Sequence, residues 1–240
     1  MSKFNVIRVQ VPDLKTAYKS GNINYSSATD KAGNIAMIKK IDRDYGSLIE
    51  YWKKVFEIPK SVIIGFIATE SGGRMLPPNK FNATGLMQVT PVALWEGVKK
   101  WKSTTKTDLP PEVVAELQRK TPEILSSKLA SPSAAMTSKI LTVLKNDAGY
   151  NIMAGTLVLR WNIERFSTSL TGGQLNKALV AYNAGAYTRS LNVGTNPILQ
   201  PIDTLVLATS AKVPIESRNY LYKMLGKDGF LDLIYNQNAL

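Results

Sequence analysis

Three short segments carry the side chains best placed to do chemistry, and they follow one another in a fixed order along the 240-residue chain. Glu70-Ser71-Gly72-Gly73 closes an apolar run, Gly85-Leu86-Met87-Gln88 follows shortly after, and Ala181-Tyr182-Asn183-Ala184-Gly185 comes much further along. A carboxyl group that leaves the nonpolar stretch VIIGFIAT for a loop rich in glycine and asparagine is pushed toward its protonated form, because burial disfavours the charge. At the C-terminal end of a helix the dipole adds a second push in the same direction. A carboxyl kept protonated is a general acid, able to give its proton to a leaving oxygen. Gly85 permits a tight turn or a close backbone approach, Met87 offers a flexible apolar surface, and Gln88 pairs a donor with an acceptor. Tyr182 and Asn183 add a hydroxyl and a carboxamide, although asparagine before Ala-Gly is by itself a common helix stop.

Composition narrows the chemistry. The chain has neither histidine nor cysteine, which removes serine–histidine and cysteine–histidine nucleophile systems and the imidazole or thiolate ligands that zinc prefers. Zinc amidases and cysteine peptidases are thereby excluded. Thirty Lys plus Arg against eighteen Asp plus Glu give +12, a charge that draws a protein to polyanions: nucleic acid, anionic lipid or acidic cell-wall polymer. The basic residues are scattered in pairs such as Lys39-Lys40, Lys53-Lys54 and Lys99-Lys100 rather than gathered in a block, so no specific nucleic-acid partner is expected. The longest apolar runs fall far short of the ~20 residues needed to span a bilayer, and the first residues, MSKFNVIRVQVPDLK, lack the pattern of an export signal.

The elements that must position these side chains read as helices. Apolar residues recur at three- and four-residue intervals from Asp42 to Glu57, with Leu48, Ile49, Tyr51, Trp52, Val55 and Phe56 on one face. Lys60 to Thr69 is apolar almost all round, as a buried central helix would be, with Glu70 at its end before Gly72-Gly73. Thr90 and Pro91 suit the N-cap and first position of another helix. Further helices are expected over Pro111 to Lys120, Ala134 to Asn146, about 151 to 166, up to Asn183 and from Pro214 to Leu225. Residues 1–41 read as an arm or cap, including a short alternating stretch from Val6 to Val11, and 42–240 as one mainly α domain with an inserted helical segment at about 103–146.

The ordered trio resembles the soluble lytic transglycosylase domain, whose helical lysozyme-like fold is related to goose-type lysozyme. In that family a glutamate followed by serine, a G-L-M-Q turn and an A-Y-N segment surround a glycan cleft. NIMAG at 151–155, ALVAYNAG at 178–185 and an E-x-R-x-Y helix starting at Glu216 extend the likeness over roughly Tyr51 to Leu225. The resemblance implies cleavage of the β-1,4 bond between N-acetylmuramic acid and N-acetylglucosamine in peptidoglycan strands. Glu70 would act as acid and then base, the substrate's N-acetyl carbonyl would support the cationic transition state, and a 1,6-anhydro ring would form, with no metal or organic cofactor needed. It also implies binding roles for Ser71, Met87, Gln88, Tyr182, Asn183 and Glu216. Ser71 keeps a second reading as a helix-end residue, and Glu216 as a structural partner of Arg218 or another base.

Hydrolysis by an inverting route needs a second carboxylate ~6.5–9.5 Å from the acid. Between Ser71 and Thr107 the one acidic residue is Glu96, whose helical spacing suits a surface pair with Lys99 or Lys100. A hydrolase would therefore have to recruit Glu96, Asp108 or Glu216, and a glycan-binding scaffold of a virion or secretion structure is the alternative of a different class. Because peptidoglycan lies outside the cytoplasmic membrane, a chain made in the cytoplasm without an export signal fits a bacteriophage protein, either virion-associated or released during lysis. Virion or other assembly proteins are then expected partners.

Overall fold

The computed structural model describes residues 31–167, 174–185, 204–226 and 228–240. The stretch from Val6 to Val11 and the rest of the expected arm up to Asp30 lie outside the described residues. Among the described residues are eleven helices and no strand, which agrees with the mainly α expectation. In chain order they are α1 (Lys31–Phe56), α2 (Lys60–Ser71), α3 (Pro91–Thr105), α4 (Pro111–Lys120), α5 (Glu123–Ser126), α6 (Ala134–Asn146), α7 (Ala148–Arg165), α8 (Leu175–Ala184), α9 (Thr204–Thr209), α10 (Ile215–Leu225) and α11 (Phe230–Asn236). They fall into two compact units, 45–161 and the described residues of 31–44 with 162–240.

The first helix runs from Lys31 through the junction placed at 41–42. The reason is visible in its burial: Ile38 and Ile41 continue toward the N-terminus the apolar spacing of Ile49, Trp52 and Phe56, and all five are buried. Leu48 and Tyr51, counted with that face, are instead 36% and 52% exposed. They open onto a surface groove of about 830 Å³ whose other wall includes Glu112, Glu116 and Arg119.

In the unit 45–161, α2 is the central buried helix the sequence calls for, with Val62, Ile63, Ile64, Phe66 and Ile67 wholly buried. Its β-branched residues are indifferent helix formers, each up to about 0.7 kcal/mol worse than alanine. Burying each large side chain contributes about 1.5–3 kcal/mol, so packing decides the conformation. Thr90 caps α3 by accepting the Ala93 N–H at 3.1 Å, with Pro91 in the first turn. Helices α4 and α6 have the expected bounds, and both α5 and α6 pack on α3. Three side-chain bonds tie the 103–146 segment to its surroundings. Trp101 Nε1 donates to the Asp108 carbonyl at 3.2 Å, Trp161 Nε1 to Thr104 Oγ1 at 3.0 Å, and the Thr121 and Tyr150 hydroxyls meet at 2.5 Å. Burial raises the Tyr150 pKa, so that hydroxyl stays protonated.

In the other unit α10 packs against α8, α9 and α11. Tyr220, Leu221, Tyr222 and Met224 form its buried side. The short α9 and α11 have too few residues to show a helical period in sequence.

Candidate active site

Glu70 is the penultimate residue of α2 and is half-buried. The helix stops there because Gly72 and Gly73 take φ of 62° and 75°, the left-handed region that a side chain disfavours. The Gly72 N–H returns to the Ala68 carbonyl at 3.2 Å, and the Tyr45 hydroxyl reaches the Gly73 carbonyl at 3.5 Å. Ser71 is buried, and its hydroxyl donates to the Ile67 carbonyl one turn back at 3.1 Å. Such a bond back to the preceding turn is one a serine at a helix end commonly makes.

The Gly85–Gln88 segment is a closed turn. Thr84 and Val89 exchange two backbone hydrogen bonds of 3.1 Å, and the Gly85 N–H donates to the Leu76 carbonyl at 2.9 Å. Asn151 of α7, wholly buried, enters the turn from behind. Its Oδ1 accepts the Met87 N–H at 2.9 Å, while its Nδ2 donates to the Thr84 and Leu144 carbonyls at 2.9 and 3.0 Å. Gly85, at φ 80°, lies so close that an added Cβ would sit 2.0 Å from Asn151 Nδ2. One turn further along α7, a Cβ on Gly155 would meet the Met87 sulfur at 2.5 Å. Leu86 is core. Met87 is core as well: its side chain is wholly buried against Gly155, with the Thr156 hydroxyl 3.9 Å from its sulfur. The close approach of α7 thus covers the flexible apolar surface expected of Met87. Gln88 is half-buried at φ 46°, and its Nε2 donates to the Gly85 carbonyl at 2.9 Å.

In the other unit, Tyr182 is half-buried near the end of α8 and Asn183 is exposed. Asn183 Oδ1 accepts the hydroxyl of the buried Ser217 at 2.6 Å, which joins the end of α8 to the first turn of α10. Glu216 is exposed in that same turn. Among the described residues it forms no ion pair with Arg218, and the Arg218 Nε is buried without a hydrogen bond. Lys177, also on α8, is buried with its ammonium 5.9 Å from the Phe166 ring centre. Burial pulls its pKa down to about 8.

The other carboxylates considered in sequence are engaged at the surface. Glu96 pairs with Lys100 at 2.9 Å, and Asp108, 81% exposed, pairs with Lys102 at 2.8 Å. Asn151 and Ser217 are the residues sequence reasoning missed. Asn151 stands in NIMAG, but nothing in its spacing announces bonds to residues more than sixty positions away. Ser217 is flanked by charged residues and gives no sign of burial.

The described fold is the helical, lysozyme-like fold of the soluble lytic transglycosylases. Its structural likeness is to the 70 kDa soluble lytic transglycosylase of Escherichia coli, with a TM-score of 0.52 and 16% identity over 97% of this chain and 32% of that one. An inactive glutamate-to-glutamine variant of the lytic transglycosylase Slt from Pseudomonas aeruginosa matches with a TM-score of 0.47 and 20% identity over 81% of this chain and 24% of that one. The chain thus spans about a quarter to a third of the length of these two enzymes. No protein-family model matches the sequence, and no curated protein matches it. Among the described residues, no helix is long and apolar enough to cross a membrane.

Proposed function

We propose that the chain is a peptidoglycan lytic transglycosylase in which Glu70 is the single acid/base. The observation that carries this reading is the placing of Glu70, half-buried on the last turn of a helix whose other residues are largely core. The transglycosylase fold and the closed Gly85–Gln88 turn support it. The Glu70 carboxyl gives its proton to the glycosidic oxygen as the bond from muramic C1 to that oxygen breaks. It then takes a proton from the muramic C6 hydroxyl, whose oxygen closes onto C1, so that an anhydro ring forms and no water is consumed. The substrate's own acetamido carbonyl shares the positive charge between the two steps, a substrate-assisted departure from the two-carboxylate scheme. The engagement of Glu96 and Asp108 with surface lysines favours this route over one in which a second carboxylate activates water.

Gln88, Tyr182 and Asn183 are the binding residues of this reading, and the net charge of +12 suits an anionic wall polymer. The test is mass spectrometry of unreduced fragments released from purified peptidoglycan by the wild type and by Glu70→Gln. Fragments ending in 1,6-anhydromuramic acid, absent with the variant, are expected. Reducing muramic ends would replace the lyase by a hydrolase. Absence of release by the wild type would leave a glycan-binding scaffold.

A further inference from the structure

We infer that Asn151 is a positioning residue, holding the Gly85–Gln88 turn so that the amide oxygen of Gln88 is left as an acceptor for an N–H or O–H donor of a bound amino-sugar chain. The inference rests on the glycan reading above and adds to it which atom reads the ligand and what holds that atom. Both carboxamides have only one orientation that satisfies their neighbours. The Met87 N–H can only donate and the Thr84 and Leu144 carbonyls can only accept, so the oxygen of Asn151 faces the first and its nitrogen the other two. The Gly85 carbonyl likewise requires the nitrogen of Gln88. That leaves Gln88 Oε1, which bonds no group among the described residues.

The turn also needs holding. Gln88 sits at φ 46°, a left-handed conformation that costs a residue with a Cβ about 1–2 kcal/mol. Such strain persists where the surroundings over-determine it. Here one buried side chain supplies three hydrogen bonds, each contributing about 1 kcal/mol and costing more if a buried partner is left unmet. The glycine at 85 is what lets that side chain come close enough. A strained residue with an unused acceptor, fixed by a buried side chain from another helix, is the arrangement of a preorganised binding group rather than of a surface loop.

The test uses the full chain carrying Glu70→Gln, so that ligand binds without turnover. A soluble tetrasaccharide of alternating N-acetylglucosamine and N-acetylmuramic acid is titrated by calorimetry into this parent and into its Asn151→Ala, Gln88→Ala and doubly substituted forms. Amide hydrogen exchange is followed in parallel. Each single change is expected to weaken Kd about tenfold, and the double change no further, because Asn151 acts through Gln88. The Met87 and Val89 amides should exchange faster in Asn151→Ala while those of Ile63 to Ile67 in α2 keep their protection. A double variant weakened about a hundredfold, or unchanged exchange in the turn, overturns the inference. Should Asn151→Ala not fold, Asn151→Asp decides. It keeps the acceptor for Met87 and regains a donor only when protonated, so its binding should recover toward the parent's as pH falls, and failure to recover overturns the inference. A parent that binds no tetrasaccharide overturns it too. The anhydro-product assay on wild type is read separately: tetrasaccharide binding with the expected coupling but no anhydro product would sink the enzymatic reading alone.

Discussion

The Gly85–Gln88 turn and the Tyr182–Asn183 helix end each offer a carboxamide, but they are secured by opposite means. In the turn, backbone groups are bound by Asn151, 64 to 67 residues away in sequence, and the candidate binding group belongs to a different residue, Gln88. At the helix end the candidate side chain is itself the fastening, since Asn183 Oδ1 accepts the Ser217 hydroxyl. Shape and chemistry are therefore separable by mutation in the first region and merged in the second. The turn is also fixed by close approach, with two glycines giving way to Asn151 and Met87. At the helix end the described side-chain bond joins an exposed residue, Asn183, to a buried one, Ser217.

The largest effect should come from Gly85→Ala, which places a Cβ 2.0 Å from Asn151 Nδ2 at a φ of 80°. We expect a loss of about 3 kcal/mol in urea unfolding, the upper end for overpacking. A loss below about 1 kcal/mol would mean the turn yields easily, and the contrast between the regions would collapse. Gly155→Ala comes next, at about 1–3 kcal/mol. Because the new Cβ meets Met87, adding Met87→Ala should recover part of the overpacking cost, and strict additivity of the two changes would break the claim that they touch. Ser217→Ala removes one hydrogen bond and should cost about 1 kcal/mol, clearly less than either glycine change. If thermal unfolding showed it to be the most damaging of the three, the ranking of the regions would be reversed.

The last check is a pH slope in the helix-end unit. Burial lowers Lys177 to about 8 in the folded protein, below its unfolded value, so from about 8 upward the unfolded chain retains a proton that the folded chain has released. Stability should rise gently with pH through that window, and the gain is lost as pH falls through about 8. Urea midpoints between pH 7.5 and 10 should show the rise in wild type and a flatter line in Lys177→Met. An identical slope in the two proteins would remove Lys177 from the account.

Much of the fold can be read in the residues, because helix periods and caps are local signals. Pro111 and Ser133 mark the starts of α4 and α6, Thr90-Pro91 marks α3, and Gly72-Gly73 marks the end of α2. The start of α1 is harder to read, since Lys31 to Lys40 interposes glycine, asparagine and lysine between the isoleucines that continue its buried face. At the site, the position of Glu70 within its helix follows from composition and glycine placement alone. The burial of Met87 does not, for the helix that covers it lies far along the chain and an apolar side chain fits a core as well as a cleft. Ser71 is similar: a hydroxyl near a helix end can turn outward or bond back to its own backbone, and only the structure shows the bond to Ile67. Long-range hydrogen bonds such as those of Asn151 have no period and leave no local trace.

The third bond of Asn151 goes to the Leu144 carbonyl, one of the last acceptors of α6, which has no partner within its own helix. That detail sets a cutting rule for anyone rebuilding the chain. The 103–146 segment cannot be lifted out as a cassette at its apparent borders, because its final turn shares a fastener with the Gly85–Gln88 loop. A graft or truncation that keeps the last turn of α6 with Leu144 preserves that acceptor, whereas one that removes α6 whole should loosen a loop it never touches in sequence.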